Sequence, residues 1–408
     1  MAVLTESEKR DDDLMNCGAV TGKDYAQQRI RVLHVISGLK VGGAETFLLR
    51  LILALSDDVD PRIVSLTSGG GMLPLLREAQ VNVLELGLGG PAELMGFPSS
   101  VLRLSKEVRS WRPQIIQGWL NHGNVMALLM QRVLLRQSKV IWSIRQSFDE
   151  LRLERLHTRM AIVLQSRFAA QPDAIICNSM RSREQFIELA SRPTDVWVVP
   201  NGFDTSKFAP NPERRASARL LLGAKEDELV VAMVAREHAI KDYPCFIEAV
   251  GRAVRSVPRL RAVCIGRGVT SEKSGIPHLI SKWNLETRCT LLEERWDLDR
   301  LYPGVDVMCL TSRAEGFPNV IGEAMACGVP CIATDVGDIA SLIGDAGYTV
   351  CPGCPEEVAK LICGFAKLDR EARARLGASA RRRVQEMYSM SVAAKKYLRI
   401  YRDVLGQH

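Results

Sequence analysis

Short apolar runs alternate with longer mixed segments along most of the chain. From Arg31 onward the apolar runs are β-rich and continuous, as expected for strands that a sheet buries on both faces, and helix-length segments separate them. This alternation predicts an α/β fold with parallel sheets. The predicted strands are 31–36, 62–67, 81–86, 114–119, 139–144 and 173–179, followed by 228–235, 261–266, 289–294, 306–311 and 330–335.

A polar break divides the two series of strands. Pro200, Asn201 and Gly202 form a turn signal, and the residues after them are rich in Pro, Asn, Arg and Glu. On the last predicted helix, Tyr397 and Tyr401 share an apolar face with Val392 and Leu405. The predicted divisions are a disordered leader (1–29), an N-terminal domain (30–203), a linker (204–228), a C-terminal domain (229–388) and a C-terminal helix (389–408).

Composition indicates a folded protein of a reducing compartment. Of the 408 residues, 47% are hydrophobic and 25% are charged. No apolar run approaches the ~18–20 residues of a membrane span, and the acidic N-terminus does not resemble a secretory signal. The 11 cysteines are odd in number and mostly in apolar surroundings, which favours the cytoplasm. For Cys351 and Cys354, a lone C-x-x-C pair, a loop is favoured over a zinc or redox site.

Positive charge is concentrated in one part of the chain. Residues 101–170 hold 12 Lys and Arg against four Asp and Glu, a net charge of +8 in a chain whose total is +7. Two interpretations stay open: a solvated Arg-rich face, or a surface for an anionic membrane or a lipid-diphosphate-linked acceptor. The favoured contacts are Arg103, Lys106, Arg109 and Arg112. Nucleic acid is not expected as a partner, because the stretch carries no known binding motif.

The densest group of candidate functional residues follows the predicted strand at 306–311. Glu315 and Gly316 lie on a loop, a helix is predicted to begin near Asn319, and Glu323 lies one turn inside that helix. A helix N-terminus offers free N–H groups and partial positive charge to an anion or polar ligand. Carboxylates placed there are good acceptors for paired sugar hydroxyls. Taken in isolation, a surface charge and a helix-dipole partner are the alternative.

Two further loops carry phosphate-binding chemistry. Arg236 and Lys241 follow the predicted strand at 228–235, where a guanidinium fork and an ammonium charge suit phosphate oxygens, although a solvated pair is the alternative. Gly42 and Gly43 follow the first strand and allow a ligand to approach the backbone, unless they form only a tight turn. The spacing there is GxxxGG rather than GxGxxG, so NAD binding is disfavoured.

Taken together and in order, these motifs resemble glycosyltransferase family 4, a large retaining group with the GT-B fold. The resemblance covers about residues 31–405. The matching segments are GGAE (42–45), Q-x-W-x-x-H (Gln117, Trp119, His122), IWSIR (141–145), CNS (177–179), VPNGFDTSKF (199–208), AR-x4-KD (235–242), IGRG (265–268), EGFPNVIGEAMACG-x-P (315–330) and TDVGD (334–338).

The resemblance implies two Rossmann-like α/β domains that face each other across a cleft, with the last helix crossing back to the N-terminal domain. It implies an acceptor site in the N-terminal domain and a nucleotide-sugar site in the C-terminal domain. Glu323 would hold ribose, Arg236 and Lys241 the diphosphate, and Glu315 the donor sugar, with His122 near the reacting carbon. The implied catalytic residues are His122, Arg236, Lys241 and Glu315. The implied donor-binding residues are Gly42, Gly43, Arg236, Lys241, Gly266, Glu315, Gly316, Phe317, Pro318, Asn319, Val320 and Glu323.

The activity implied is retaining transfer of a sugar from a UDP- or GDP-sugar to a saccharide or lipid-linked acceptor, in polysaccharide, lipopolysaccharide, capsule or glycoconjugate synthesis. The enzyme would be cytoplasmic or peripheral on the inner membrane face. No cofactor or metal is expected, because two cations take the place of a metal. The alternatives are a nucleotide-sugar epimerase of the same fold and a non-catalytic nucleotide-sugar-binding protein. Asp297 and Asp299 resemble a metal-binding DxD motif, but helix capping is favoured. For Asn178 and Asn201, a role as turn residues is favoured.

Overall fold

The computed structural model describes residues 29–88, 97–146, 148 and 156–407. All of the predicted leader except Arg29 lies outside these residues. Two sheets contain the strands of the described residues, and every strand pair in both sheets is parallel. None of the described helices is long and apolar enough to cross a membrane.

The first sheet has seven strands in the order β3-β2-β1-β4-β5-β6-β7. Its strands are β1 (Ile30–Ile36), β2 (Val59–Ser65), β3 (Asn82–Glu85), β4 (Ile115–Trp119), β5 (Lys139–Ile144), β6 (Ala174–Cys177) and β7 (Val196–Val198). The helices between them are α1 (Gly43–Ala54), α2 (Leu73–Glu78), α3 (Phe97–Trp111), α4 (Leu120–Val133), α5 (Leu156–Arg167) and α6 (Met180–Leu189). Buried apolar clusters cover both faces of this sheet, which explains why its central strands β1, β4, β5 and β6 are mostly apolar.

The second sheet has six strands in the order β10-β9-β8-β11-β12-β13. Its strands are β8 (Leu229–Val234), β9 (Leu260–Ile265), β10 (Cys289–Leu292), β11 (Val307–Leu310), β12 (Cys331–Thr334) and β13 (Gly347–Val350). The helices of this half are α7 (Arg215–Leu221), α8 (Tyr243–Ala253), α9 (Ile276–Lys282), α10 (Leu298–Leu301), α11 (Asn319–Ala326), α12 (Ile339–Ile343), α13 (Pro355–Lys367), α14 (Arg370–Met387) and α15 (Met390–Leu405).

The strand predictions agree with the structure except at two sheet edges. Each of the eleven predicted strands overlaps an observed one, whereas β7 and β13 were not predicted. These two strands have only three and four residues and lie at the edges of their sheets, where much of their side-chain surface is only partly covered. A short, half-covered strand lacks the continuous apolar run by which the buried strands were found.

The chain crosses between the two domains twice, and the two crossings are hydrogen-bonded to each other. The backbone N–H of Phe203 donates to the carbonyl of Tyr388 at 2.8 Å, and that of Met390 donates to the carbonyl of Phe203 at 2.8 Å. After the second crossing, α15 packs into the core of the first domain, where the ring of Tyr397 stacks on that of Trp119. Residues from both ends of the chain therefore build the first domain.

In each sheet the strand order reverses beside the first strand of that sheet. In the first sheet, β1 and β4 are neighbours and Ile36 pairs with Trp119, so both strands end at the same level. In the second sheet the equivalent neighbours are β8 and β11. A crevice forms where the chain leaves such strands in opposite directions, and open α/β sheets bind ligands there. The three loops singled out from the sequence follow β1, β8 and β11.

Replacement of Gly322 by Ala should destabilise the protein by about 1–3 kcal/mol. Gly322 lies inside α11, and a methyl group there would overlap the buried ring of Phe203. Gly364 lies inside α13 with open space around it, so Gly364→Ala should stabilise the protein by up to about 1 kcal/mol. Urea unfolding of both variants measures the contrast, and equal effects of the two would contradict it.

Candidate active site

The cleft between the domains holds two adjoining cavities. The larger has a volume of about 640 Å³ and the smaller about 340 Å³; we name them the large cavity and the small cavity. Gly43 and Asn319 line both, so the cavities meet at these two residues. The predicted site residues on the large cavity are Gly42, Gly43, Arg236, Gly266, Asn319, Val320 and Glu323. Those on the small cavity are Gly43, Glu315, Gly316, Phe317 and Asn319.

Glu323 is a buried carboxylate that the first domain partly neutralises. It lies in α11, and Oε1 is 3.5 Å from Nη2 of Arg50 in α1. Burial raises the pKa of the Glu323 carboxyl, and the positive charge of Arg50 opposes part of that rise. The sequence indicated the carboxylate but not its partner, because Arg50 comes from the other domain and lies 273 positions away.

Lys241 and Glu315 form an ion pair at the carboxyl edge of the second sheet. Lys241 Nζ donates to Oε1 of Glu315, which also accepts a hydrogen bond of 2.6 Å from the Ser312 hydroxyl. Lys241 lines neither cavity, but through Glu315 it adjoins the small one. The pair brings together the loop after β8 and the loop after β11.

Hydrogen bonds fix those two loops against each other. The Thr311 hydroxyl donates to the carbonyls of Lys241 and Asp242 at 3.2 and 3.0 Å, and Arg313 Nε donates to the Asp242 carboxylate at 2.8 Å. Asp242 has a φ of 50°, in the left-handed region that Asp tolerates better than most residues, and it caps α8 through the N–H of Cys245. These hydrogen bonds therefore hold the loops that carry Lys241 and Glu315 in a defined position relative to each other.

At Gly266 the backbone lies close to the carbonyl group of Ala235. The φ of Gly266 is 156°, and a side chain there would collide with the carbonyl of Ala235, next to Arg236. The wall of the large cavity at Gly266 therefore consists of main chain. Arg236 is exposed and lines the same cavity, so its guanidinium is available to a ligand.

The first turn of α11 lies at the junction of the two cavities. Pro318 directly precedes this helix, and Phe317 packs between the rings of Phe203 and Tyr388 with centroid distances of 6.1 and 5.8 Å. Asn319 accepts a hydrogen bond of 2.6 Å from the side chain of Asn201, and a side chain at Gly43 would come within 3.4 Å of the Asn319 amide. Both domains therefore meet at the N-terminus of α11.

The small cavity contains polar residues to which the sequence assigned no role in binding. Asn178, Asn201 and Arg145 line it together with Glu45. For the two asparagines the sequence favoured a turn role alone. They also lie on the cavity wall, and Asn201 links Arg145 to Asn319. Asn178, Asn201 and Arg145 follow β6, β7 and β5. The ends of parallel strands meet at one edge of a sheet, so these positions were the signal in the sequence that the three residues lie near a ligand site.

His122 lies in the first turn of α4 and is not among the described residues that line either cavity. Its ring is 5.4 Å from that of His157. Burial lowers the pKa of His122, and the charge of the neighbouring His157 lowers it further, whereas a backbone hydrogen bond with His157 opposes part of this effect. Leu120, two residues earlier, does line the small cavity, with a left-handed φ of 61°.

The sequence favoured Asp297 as a helix-capping residue, but its side chain does not cap α10. It occupies the position before α10, but its carboxylate forms two hydrogen bonds, of 2.8 and 2.7 Å, with Arg295. Asp299 lies near Lys207 and Arg214. In the described part of the chain, no group of three or more His, Cys, Asp or Glu side chains is arranged to hold a metal ion. Cys351 and Cys354 are free thiols.

Asp338 of the second domain contacts the start of α6 in the first domain. Its carboxylate accepts hydrogen bonds of 2.7 and 3.1 Å from the N–H groups of Met180 and Arg181, at the start of α6. Burial raises the pKa of Asp338, and these two donors oppose the rise. A carboxylate of the second domain therefore caps a helix of the first.

Comparison with known proteins identifies the family. A model described as Glycosyltransferase Family 4 matches residues 41–207, and one described as Glycosyl transferases group 1 matches residues 228–367. The chain belongs to glycosyltransferase family 4. Every predicted catalytic and donor-binding residue of the enzyme falls within these two matches. The resemblance found from the sequence is confirmed, and the two facing α/β domains are those of the GT-B fold.

Curated relatives support this assignment, and a solved structure supports the fold. The enzyme is 25% identical over 339 residues to a D-inositol 3-phosphate glycosyltransferase of Segniliparus rotundus, a match that covers 77% of this chain and 72% of the relative. It is 32% identical over 237 residues to an N-acetyl-alpha-D-glucosaminyl L-malate synthase of Bacillus anthracis, covering 58% and 61%. Anabaena Alr3699/HepE in complex with UDP has a similar fold, with a TM-score of 0.78 at 21% identity, covering 92% of this chain and all of that one.

Proposed function

We propose that the enzyme transfers a sugar from a nucleoside-diphosphate donor to a saccharide or lipid-linked acceptor, with retention of anomeric configuration. One observation carries the proposal: the loops after β8 and β11 bring Arg236, Lys241, Glu315 and Glu323 to one cleft, around two cavities that share a wall. Cations and carboxylates in this arrangement suit a ligand with a diphosphate between two sugar rings.

In this proposal the nucleotide occupies the large cavity and its ribose binds Glu323. Because loss of Arg50 would leave a buried carboxylate without its cation, the ribose hydroxyls would bind Glu323 beside Arg50, which lies 3.5 Å from one carboxylate oxygen. The donor sugar extends past Gly43 and Asn319 to Glu315 and the small cavity. The Anabaena protein was solved with UDP-glucose as well as UDP, which favours a UDP-sugar over a GDP-sugar here.

Electrostatic stabilisation of the leaving group supplies most of the catalysis in this proposal. As the glycosidic bond breaks, negative charge grows on the β-phosphate. Arg236, Lys241 and the free N–H groups at the start of α11 are positioned to stabilise it without a metal ion. The geometry supports these groups more directly than it supports His122. Closure of the cleft excludes water and limits hydrolysis of the donor.

A nucleotide-binding assay tests the donor assignment. We expect one class among UDP-, GDP-, ADP- and dTDP-sugars to raise the unfolding temperature, because a ligand at 100 times Kd stabilises by about 2.7 kcal/mol. Glu323→Gln should reduce the shift, whereas Glu272→Gln, an exposed carboxylate outside both cavities, should not. No shift with any donor would contradict the proposal. Conversion of the donor sugar without an acceptor would indicate an epimerase, and binding without nucleotide release a non-catalytic protein.

Lys241→Ala should lower kcat at saturating donor by roughly 10²–10³, because it removes one preorganised charge from the departing phosphate. Lys273→Ala is the matched control, since Lys273 is exposed and lines neither cavity. Nucleotide release measured with and without EDTA checks the metal-free mechanism. Strict dependence on Mn²⁺, or equal rates for the two Lys variants, would argue against it.

We also propose that the enzyme binds anionic membrane surfaces from the cytoplasmic side. On α5 the side chains of Leu156, Met160 and Val163 are 71%, 59% and 65% exposed, and Arg159 and Arg167 are exposed on the same helix. An apolar face edged by Arg is typical of helices that lie in a membrane interface. Of the residues favoured from the sequence, Lys106, Arg109 and Arg112 are exposed, and the side chain of Arg103 lies outside the described residues.

Flotation with anionic and neutral vesicles at low salt tests this surface. The unmodified enzyme should float with the anionic vesicles only, because Arg adds attraction to apolar burial. Val163→Glu should reduce binding. Leu220→Glu changes an equally apolar and 81% exposed side chain on α7, in the other domain, and should leave binding unchanged. Absence of flotation by the unmodified enzyme, or equal loss in both variants, would end the proposal.

A further inference from the structure

Arg145 presents an unneutralised positive charge to the small cavity. It follows β5 directly, and its guanidinium carbon lies 3.8 Å from the ring centroid of Phe47. Nη1 donates to the Tyr397 hydroxyl at 3.0 Å, and Nη2 donates to the side-chain oxygen of Asn201. Tyr397 belongs to α15 and Asn201 to the first crossing between the domains, so three separate parts of the chain hold this one side chain.

No carboxylate among the described residues forms an ion pair with Arg145. Within the described part of the chain, two of the five N–H donors of its guanidinium are used, and both acceptors are uncharged. Burial lowers the pKa of Arg145, and the Tyr397 hydroxyl opposes that effect. A buried cation without an anion is costly, and a partly satisfied one is a candidate to bind a ligand. The remaining N–H groups can donate to an anion in a fork geometry.

The other charged groups on the small cavity do not supply that anion. Glu315 is already paired with Lys241 and hydrogen-bonded to Ser312. Burial raises the pKa of Glu45, which favours its neutral form, and Glu45 forms no ion pair in the described residues with Arg145. The cavity therefore contains one cation that its own acidic residues leave unpaired.

We propose that Arg145 binds an anionic group, a carboxylate or a phosphate, carried by the acceptor; this rests on the proposed glycosyl transfer. Arg145 belongs to the first domain and lines the small cavity, beyond Gly43 and Asn319 as seen from the large cavity. The diphosphate of the donor has other cations available, Arg236 on the large cavity and Lys241 beside Glu315 among them. An anion at Arg145 would lie opposite the donor sugar and orient the acceptor hydroxyl toward it.

Titration of inorganic phosphate into the UDP-saturated enzyme tests this site, because UDP then occupies the donor cations. We expect saturable phosphate binding that Arg145→Met weakens roughly tenfold or more, with UDP affinity unchanged. Arg145→Lys keeps the charge and loses the fork, so it should restore part of the affinity. Arg259→Met is the matched control: Arg259 is 72% exposed, lines neither cavity, and its loss should change neither affinity. A parallel titration with acetate shows whether a carboxylate also binds.

The outcomes separate the acceptor site from the donor site. If Arg145→Met weakens UDP and phosphate binding to the same extent, Arg145 serves the donor diphosphate and the proposal is wrong. It is also wrong if neither anion binds the UDP-saturated enzyme, or if Arg145→Met binds both as the unmodified enzyme does. If Arg145→Met does not fold, a partial loss of anion binding in Arg145→Lys at unchanged UDP affinity supports the site, and no loss overturns it. Failure of the unmodified enzyme to bind UDP counts against the proposed function instead, and the titrations are then compared without nucleotide.

Discussion

The architecture depends on the two hydrogen bonds that join the chain crossings at Phe203. Its N–H and carbonyl groups bind Tyr388 and Met390, and its ring packs against Gly322 and Phe317. This contact fixes where the first turn of α11 lies relative to the first domain. Because Asn319 begins that helix and touches Asn201 across the cleft, both cavities take their shape from the crossing. The domain interface is part of the site.

Two buried carboxylates of the second domain are paired with groups of the first domain. Glu323 is buried against Arg50 of α1, and Asp338 is buried against N–H groups of α6. Burial raises the pKa of both carboxyls, so each would be costly to keep ionised without its partner across the cleft. Lys241 and Glu315 differ, because both belong to the second domain and pair within it. The proposed diphosphate contact of Lys241 therefore depends on the second domain alone.

Much of the fold and part of the site follow from local sequence. Continuous apolar strands mark buried parallel sheets, and the residues after them lie at one edge, so the strand pattern predicted that Arg236, Glu315 and Glu323 lie near one another, whereas Gly266 came from the family resemblance. Contacts between distant parts of the chain leave no such pattern. Arg145 depends on Tyr397, 252 positions later, and nothing in the local sequence signals that contact. His122 shows a second reason why sequence is insufficient. A motif can place a residue near the end of a strand, but it does not show which way the side chain faces.

The cap that Asp338 places on α6 links the contact between the domains to the wall of the small cavity. Ser179, directly before α6, accepts from the N–H of Ser182, so Asp338 accepts from the two preceding amides, those of Met180 and Arg181. The backbone N–H of Asp338 in turn donates to the carbonyl of Gly316 at 3.3 Å, and Gly316 lines the small cavity. A substitution at Asp338 would therefore disturb the interdomain cap and this part of the cavity wall together.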